Sequence, residues 1–274
     1  MKRLFSLTAV FIFAVTFSGC MGNKNLKTIK QKKQFAVITV FADSKVKEYV
    51  ETSKAGKKGK NEDDEIDAAE SFKLLGKLTG SKKIEETAES IEKKFSHLTK
   101  PVLDQGQSSL EKNINSVSQI KVLTFSAVIK NKAYQASFKK EGKDGNWFEV
   151  MNLVYPEGFG NIEYNNSKIT EKLCSDLGVE GFIVIEVKFM TQKTQGIILG
   201  GEGQQARVSL KCGIYDKKAK VLWDKTEIVV SSKDVSTISG IYNRDDMNKL
   251  LLECYDKAGK NIFKNLSKDL SSAK

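Results

Sequence analysis

Apolar residues recur along this chain with two spacings, every second position in some stretches and every third or fourth in others. Phe35-Ala-Val-Ile-Thr-Val-Phe41 is a continuous apolar, β-branched run. That is the pattern of a strand buried on both faces, and it predicts a central place in a sheet. After the glycine- and lysine-rich break at residues 56–61, acidic residues 62–67 open a helical stretch with Ile66, Ala69 and Phe72 on one side. Acids near a helix start complement its dipole. Past Gly80, the positions Ile84, Ala88, Ile91, Phe95 and Leu98 advance by steps of four, three, four and three. They describe an amphipathic helix that Pro101 is expected to close. Residues 54–100 therefore read as an all-helical insertion.

A helix is predicted over 105–118, with Leu110, Ile114 and Val117 on its stripe, feeding a strand over 120–125. Strand, helical crossover and second strand make a βαβ-like start. A short helix over 132–140 and a strand over 147–155 follow. Asn166 is expected to cap a helix carrying Ile169, Leu173 and Leu177, which Gly178 ends. The strand over 179–190 puts Ile183, Ile185, Val187 and Phe189 on one face, Glu186 and Lys188 on the other. Val208, Leu210, Cys212 and Ile214 share a face of the next strand, and residues 216–219 turn the chain into a strand over 221–230, an antiparallel hairpin. The terminal helix, over 244–266, aligns Met247, Leu250, Leu251, Cys254, Ala258 and Ile262. The whole predicts an α/β fold: a mixed sheet with packed helices, an antiparallel C-terminal hairpin and the helical insertion, with residues 35–274 as a single domain.

Composition changes the picture where charge is concerned. The 274 residues are 40% hydrophobic with 2 Pro, a chain able to bury a core. Lys and Arg number 45 against 34 Asp and Glu, a net charge of +11 that points first to nucleic acid or a membrane surface. The charge is not evenly spread. Residues 21–60 carry eleven lysines against Asp43, Glu48 and Glu51, Lys2 and Arg3 account for two more charges, and the rest of the chain is left near neutral. No aromatic residue stands among the lysines of residues 21–34, so nucleic acid is not expected as a partner. Two readings of residues 20–34 stand side by side, a solvated basic tether and a segment drawn to anionic headgroups.

Residues 1–19 have the form of a secretory signal, with Lys2 and Arg3 before a mostly apolar run from Leu4 to Phe17. A helix of that length rises about 21 Å, short of a hydrocarbon core of about 30 Å. The run ends in Phe17-Ser18-Gly19-Cys20, which resembles the lipobox of bacterial lipoproteins and departs from it at Phe17, where Leu is usual. The resemblance implies cleavage before Cys20, diacylglycerol on its thiol and an acyl chain, typically palmitate, on the new amino terminus. Met21 in place of Asp implies the outer membrane by the enterobacterial sorting rule, with the body facing the periplasm or, alternatively, displayed at the cell surface. An ordinary cleaved signal followed by an incidental Cys is the competing reading.

Further along, Tyr164-Asn165-Asn166-Ser167, the run Leu177 to Val187, then Gly213-Ile214-Tyr215-Asp216 and Lys220-Val221-Leu222-Trp223 resemble the helix, strand and hairpin of a group of envelope proteins. These are the curli-secretion lipoprotein, the penicillin-binding-protein activator lipoproteins and the amino-terminal module of TolB. The resemblance covers residues 35–42 and 103–266 and does not extend to 43–102. It implies a mixed α/β module used for protein contacts in the envelope, without catalysis.

Candidate chemistry is sparse. Cys174, Cys212 and Cys254 fall on or beside apolar stripes and read as small buried hydrophobes, although an export compartment permits one disulfide. No Cys-x-x-Cys or zinc spacing occurs, so no metal and no cofactor is expected. His97 is the one histidine and reads as a helix-end residue. The acid pairs Asp63/Asp64 and Asp245/Asp246 point about 100° apart on a helix and read as helix-start acids. Gly200-Gly201-Glu202-Gly203 lies between two strands and reads as a hairpin tip. Tyr155 and Phe159, on the glycine-hinged loop 155–160, are the candidate contact residues. Glu186 and Lys188 form the candidate pocket face. The expectation is a lipid-anchored, non-enzymatic envelope protein that presents its module to a protein partner; the alternative is a small-molecule or glycan binder.

Overall fold

The computed structural model describes residues 25–32, 34–49, 98–138, 153–194, 203–238 and 241–273. Among them the chain forms a helix over residues 25–31 (α1), strands Phe35–Asp43 (β1) and Lys47–Glu48 (β2), and helices Lys100–Asn115 (α2), Phe125–Ile129 (α3) and Lys132–Ala136 (α4). Strand Leu153–Val154 (β3), helix Ser167–Leu177 (α5) and strands Gly181–Thr194 (β4), Gly203–Asp216 (β5) and Val221–Ile238 (β6) follow. Strand Ile241–Tyr242 (β7) and helix Arg244–Ser272 (α6) complete the order. The protein is α/β with a mixed sheet of order β3-β1-β4-β5-β6-β7, and β2 pairs with β4 beyond the end of β1. β1 and β2 run parallel to β4, while the β4–β5 and β5–β6 pairs are antiparallel.

β4 is the axis of the sheet. Ile183, Ile185, Val187 and Phe189 on its inner face are buried, as are Val208, Leu210, Cys212 and Ile214 of β5. α6 covers this face. Asn243 caps it, its side-chain oxygen accepting from the N–H groups of Asp245 (2.9 Å) and Asp246 (3.3 Å), and the predicted stripe from Met247 to Ile262 is buried. The helix runs past residue 266 because Leu266 and Leu270 extend the stripe by one more step of four. α2 packs on α6 where Gly106 meets Tyr255: a Cβ at 106 would fall inside the phenol ring. Beside that contact, Asp256 accepts from Ser109, from Asn113 Nδ2 (3.4 Å) and from Lys260 (2.6 Å). Burial raises the Asp256 carboxyl, but these partners together hold it below its ordinary value.

α5 forms as predicted, with Asn166 accepting from Lys168 N–H (3.2 Å) and Gly178 ending it in the left-handed conformation (φ 68°). The C-terminal hairpin of β5 and β6 forms as expected, with β6 running on to Ile238. β4 and β5 form a second antiparallel pair whose ladder ends at Thr194 opposite Gly203, and residues 195–202 lie outside the described residues.

Other expectations need correcting. Pro101 does not close a helix; it sits in the first turn of α2, where its missing N–H leaves no partner unmet. The strand expected over 120–125 shrinks to a single parallel bridge between Phe35 and Val122. Thr124 caps α3 by accepting from Ala127 N–H (3.2 Å), and Glu111 accepts Phe125 N–H (2.7 Å), so local side-chain acceptors take the chain out of the sheet. β1 is second from an edge and not central, with only the two-residue β3 outside it. Its burial on both faces comes from chain folded over it, where Tyr134 OH donates to Ile38 O (2.9 Å) and Thr39 Oγ1 to Gly160 O (3.2 Å). Residues 25–31, expected within a solvated tether, are helical: Leu26 and Ile29 share a face, and Ile29 is fully buried. Of the helical insertion, only residues 98–100 are described.

Two substitutions test the α2–α6 contact with opposite signs. Gly106→Ala is expected to lower stability by about 1–3 kcal/mol through overpacking. Tyr255 OH is buried without a hydrogen-bond partner among the described residues, so Tyr255→Phe is expected to hold or raise stability by up to about 1 kcal/mol. Urea unfolding reads both, and a wild-type midpoint for Gly106→Ala would contradict the close approach.

Candidate functional site

With α6 on the inner face, the chemistry open to solvent lies on the outer face of β4, β5 and β6. Period-two alternation places Glu186 and Lys188 there, Oε1 to Nζ 3.5 Å apart. Their side chains are 32% and 55% exposed, which sets them apart from the buried Phe182 and Val184 of the same face. Register supplies their neighbours. Lys211 lies opposite Glu186 and Ser209 opposite Lys188 on β5. Thr226 and Ile228 continue the two rows on β6. Ile228 is 51% exposed, a large apolar side chain left among lysines.

Two clusters flank these rows. Towards the start of β4, Phe182 and Tyr215 stack at 5.1 Å with an interplanar angle of 8°, and Tyr164 lies 6.0 Å from Tyr215. Burial raises the Tyr164 hydroxyl above its ordinary value, and the Glu186 carboxylate adds to the effect. Tyr215 is raised by burial first, then by Tyr164, Asp224, Cys212 and Glu186. Both phenols therefore remain protonated donors at neutral pH. Towards the far end, the Arg207 guanidinium sits 3.8 Å over the Tyr49 ring and donates to Gln192 Oε1 (3.2 Å). Its Nε is buried with no hydrogen-bond partner among the described residues.

The structure brings Glu186 and Lys188 together, and the register sets Phe41 of β1 beside Glu186, with Tyr155 packed against that ring. Phe159 is not exposed. It is 7% accessible and packs edge-on against Phe125 (5.2 Å) and Tyr134 (6.4 Å). The loop carries it inward because the ring buries more apolar area there than the loop could leave in water. Tyr155 is half-buried, 6.4 Å from Phe41. Cys20, His97, Asp63 and Asp64 lie outside the described residues. Cys174, Cys212 and Cys254 are free and buried. Burial pushes the thiols of Cys174 and Cys254 up to about 11, and that of Cys212 higher still, so none is a thiolate at neutral pH.

Arg207 and Lys211 were legible as the polar positions alternating with Val208 and Leu210, and sequence reasoning passed over them. Tyr49 carries no local signal that it would lie beneath an arginine. Chemically, the face offers ammonium groups, a carboxylate and protonated phenols on rigid strands, an arrangement suited to hydrogen bonding and ion pairing with a polar partner.

No protein-family model matches the sequence, and no curated protein matches it. Among solved structures, a minor lipoprotein from Acinetobacter baumannii aligns with 40% of this chain and 88% of its own, at 13% identity and a TM-score of 0.26. At that score the likeness assigns neither fold nor function.

Glu186→Gln removes a negative charge that opposes phenolate formation at Tyr164. Tyr164 is then expected to titrate at lower pH than in the wild type, yet still above its ordinary value because burial remains. Ultraviolet titration, with Tyr164→Phe to assign the transition, reads the shift; an unchanged Tyr164 curve would separate the two groups.

Proposed function

We propose that this chain is a lipid-anchored bacterial envelope protein that presents its α/β domain to a protein partner and has no catalytic role. The observation that carries the reading is the outer face of β4–β6, where exposed Ile228 stands among Lys188, Lys211 and Ser209 on rigid strands. An apolar anchor ringed by polar groups is the anatomy of a contact surface. The anchoring half of the reading rests on Phe17-Ser18-Gly19-Cys20 after a short apolar run, with acylation at Cys20. Met21 supports the outer membrane, with the domain facing the periplasm. Buried, protonated thiols support a non-enzymatic role. One observation favours a second reading, a glycan or small-molecule binder: Glu186 beside Tyr164 and Tyr215 offers an acceptor next to aromatic faces.

Two substitutions test the two halves separately. Cys20→Ser is expected to abolish acylation and partition into the detergent phase, whereas a variant that still partitions would remove the anchor from the reading. Ile228→Glu, in the anchored protein, is expected to lose the species crosslinked through Lys188 in intact envelopes. Crosslinked species that survive Ile228→Glu would move the contact to another face.

A further inference from the structure

The end of the domain where α1 docks gathers many chain termini. β1 and β4 begin there, β5 ends there, and the 216–220 turn lies beside them. Glu180 N–H donates to Gln34 O (2.9 Å), Phe35 N–H to Lys121 O (2.8 Å) and Thr170 Oγ1 to Lys217 O (2.9 Å). These bonds tie the N-terminal segment, the chain after α2, α5 and the turn into one surface. α1 lies across it, with Ile29 buried, Lys30 Nζ donating to Ala273 O (3.0 Å) and Lys32 Nζ to Glu180 O (2.7 Å).

Those two lysines serve carbonyls at the end of α6 and just past α5. The others at this end do not. Lys27, Lys121, Lys217, Lys218 and Lys220 are exposed and form no ion pair among the described residues. The acids at this end are Glu180, Asp216, Asp224 near the start of β6, Asp176, which pairs with Lys172 (2.6 Å), and Asp269, held by Trp223 Nε1 (3.1 Å) and Lys225 (3.8 Å). Asp216 accepts the N–H groups of Lys218 (2.9 Å) and Lys220 (3.0 Å). A near-neutral body thus carries a lysine-rich end, on the side from which the chain continues towards Cys20.

We propose that this end of the domain seats on an anionic phospholipid surface. The proposal rests on acylation at Cys20: the chain from there to residue 25 spans at most about 17 Å, so the acyl chains hold this end at the headgroups. The opposite end lies about 44 Å away along α6. Attraction to anionic lipid decays within a Debye length of about 8 Å, so lysines act only if held at the surface, and the fold holds these there. In the seated domain β6 starts beside Lys220 at the surface and carries the outer face out into the aqueous space.

Lysine acetylation footprinting tests the seating. The full-length protein is reconstituted with vesicles of phosphatidylglycerol or of phosphatidylcholine, acetylated briefly, and read peptide by peptide by mass spectrometry. Lys121, Lys217, Lys218 and Lys220 are expected to react about fivefold more slowly on the anionic vesicles, with the difference lost in high salt. Lys233 and Lys249, remote from this end, serve as references that react equally on both. The combined variant Lys217→Glu, Lys218→Glu and Lys220→Glu, all in an exposed turn, is expected to lose the protection of Lys121. Equal reactivity on the two vesicles overturns the proposal. The mass of the N-terminal peptide reports acylation in the same samples. An acylated chain without the footprint overturns the seating alone, a footprint without acylation overturns the anchoring reading and leaves the surface standing, and absence of both overturns both.

Discussion

One long helix covers one face of a long hairpin, and the remaining structure follows from that asymmetry. The 29 residues of α6 bury a continuous stripe from Met247 to Leu270 against β5, whose inner positions Val208 to Ile214 are withdrawn from water, and against Trp223 and Val229 of β6. Apolar area removed from solvent at about 25 cal/mol per Å² makes this interface a substantial source of stability. A helix packs on a single face, so the opposite face of β4–β6 must be covered by other chain or be polar enough to face water.

The protein does both. At the start of β4 the second face is covered by aromatic packing: Phe182 under Tyr215, and a set of edge-on rings from Phe125, Tyr134, Phe138 and Phe159. Farther along, cover ends and polarity takes over, with Glu186, Lys188 and Lys211 in the rows where Phe182 and Val184 were buried. The candidate site is thus the part of the sheet that no helix reaches among the described residues. The lysine-rich end has a related origin. Carbonyls left at the ends of α5 and α6 attract lysines, and two of them, from α1 and the residue after it, bring the N-terminal segment into the fold.

Much of this was legible where the signal is local. Asn166 and Gly178 bracket α5 because capping chemistry acts within one turn, and the stripes of β4, β5 and α6 follow from periods of two and of three to four. Glu186 and Lys188 were placed on one open face by the same counting. The misreadings share a different cause. Pro101 is compatible with either end of a helix, and the N–H groups of Val102 (3.1 Å) and Leu103 (3.0 Å) donating to Thr99 O show that the chain starts α2 there. Residues 120–125 have the composition of a strand, yet Thr124 and Glu111 satisfy backbone groups that a ladder would have used. Phe159 looked available on a glycine-bearing loop, but its partners Phe125 and Tyr134 come from α3 and α4. Tyr49 under Arg207 is likewise a long-range fact that no spacing encodes. Helix α1 was hidden by its own charge, since lysines at 27, 30 and 32 mask the two apolar residues that dock it.

That docking turns a basic N-terminal segment into a part of the core and fixes the end of the domain from which the chain continues towards Cys20. The most direct measurement is denaturant unfolding of Ile29→Ala beside Lys27→Ala. Loss of a fully buried isoleucine predicts a destabilisation of about 2–5 kcal/mol, with Lys27→Ala unchanged. An Ile29→Ala protein that unfolds at the wild-type midpoint would return residues 25–31 to a solvated tether and contradict the docking of α1.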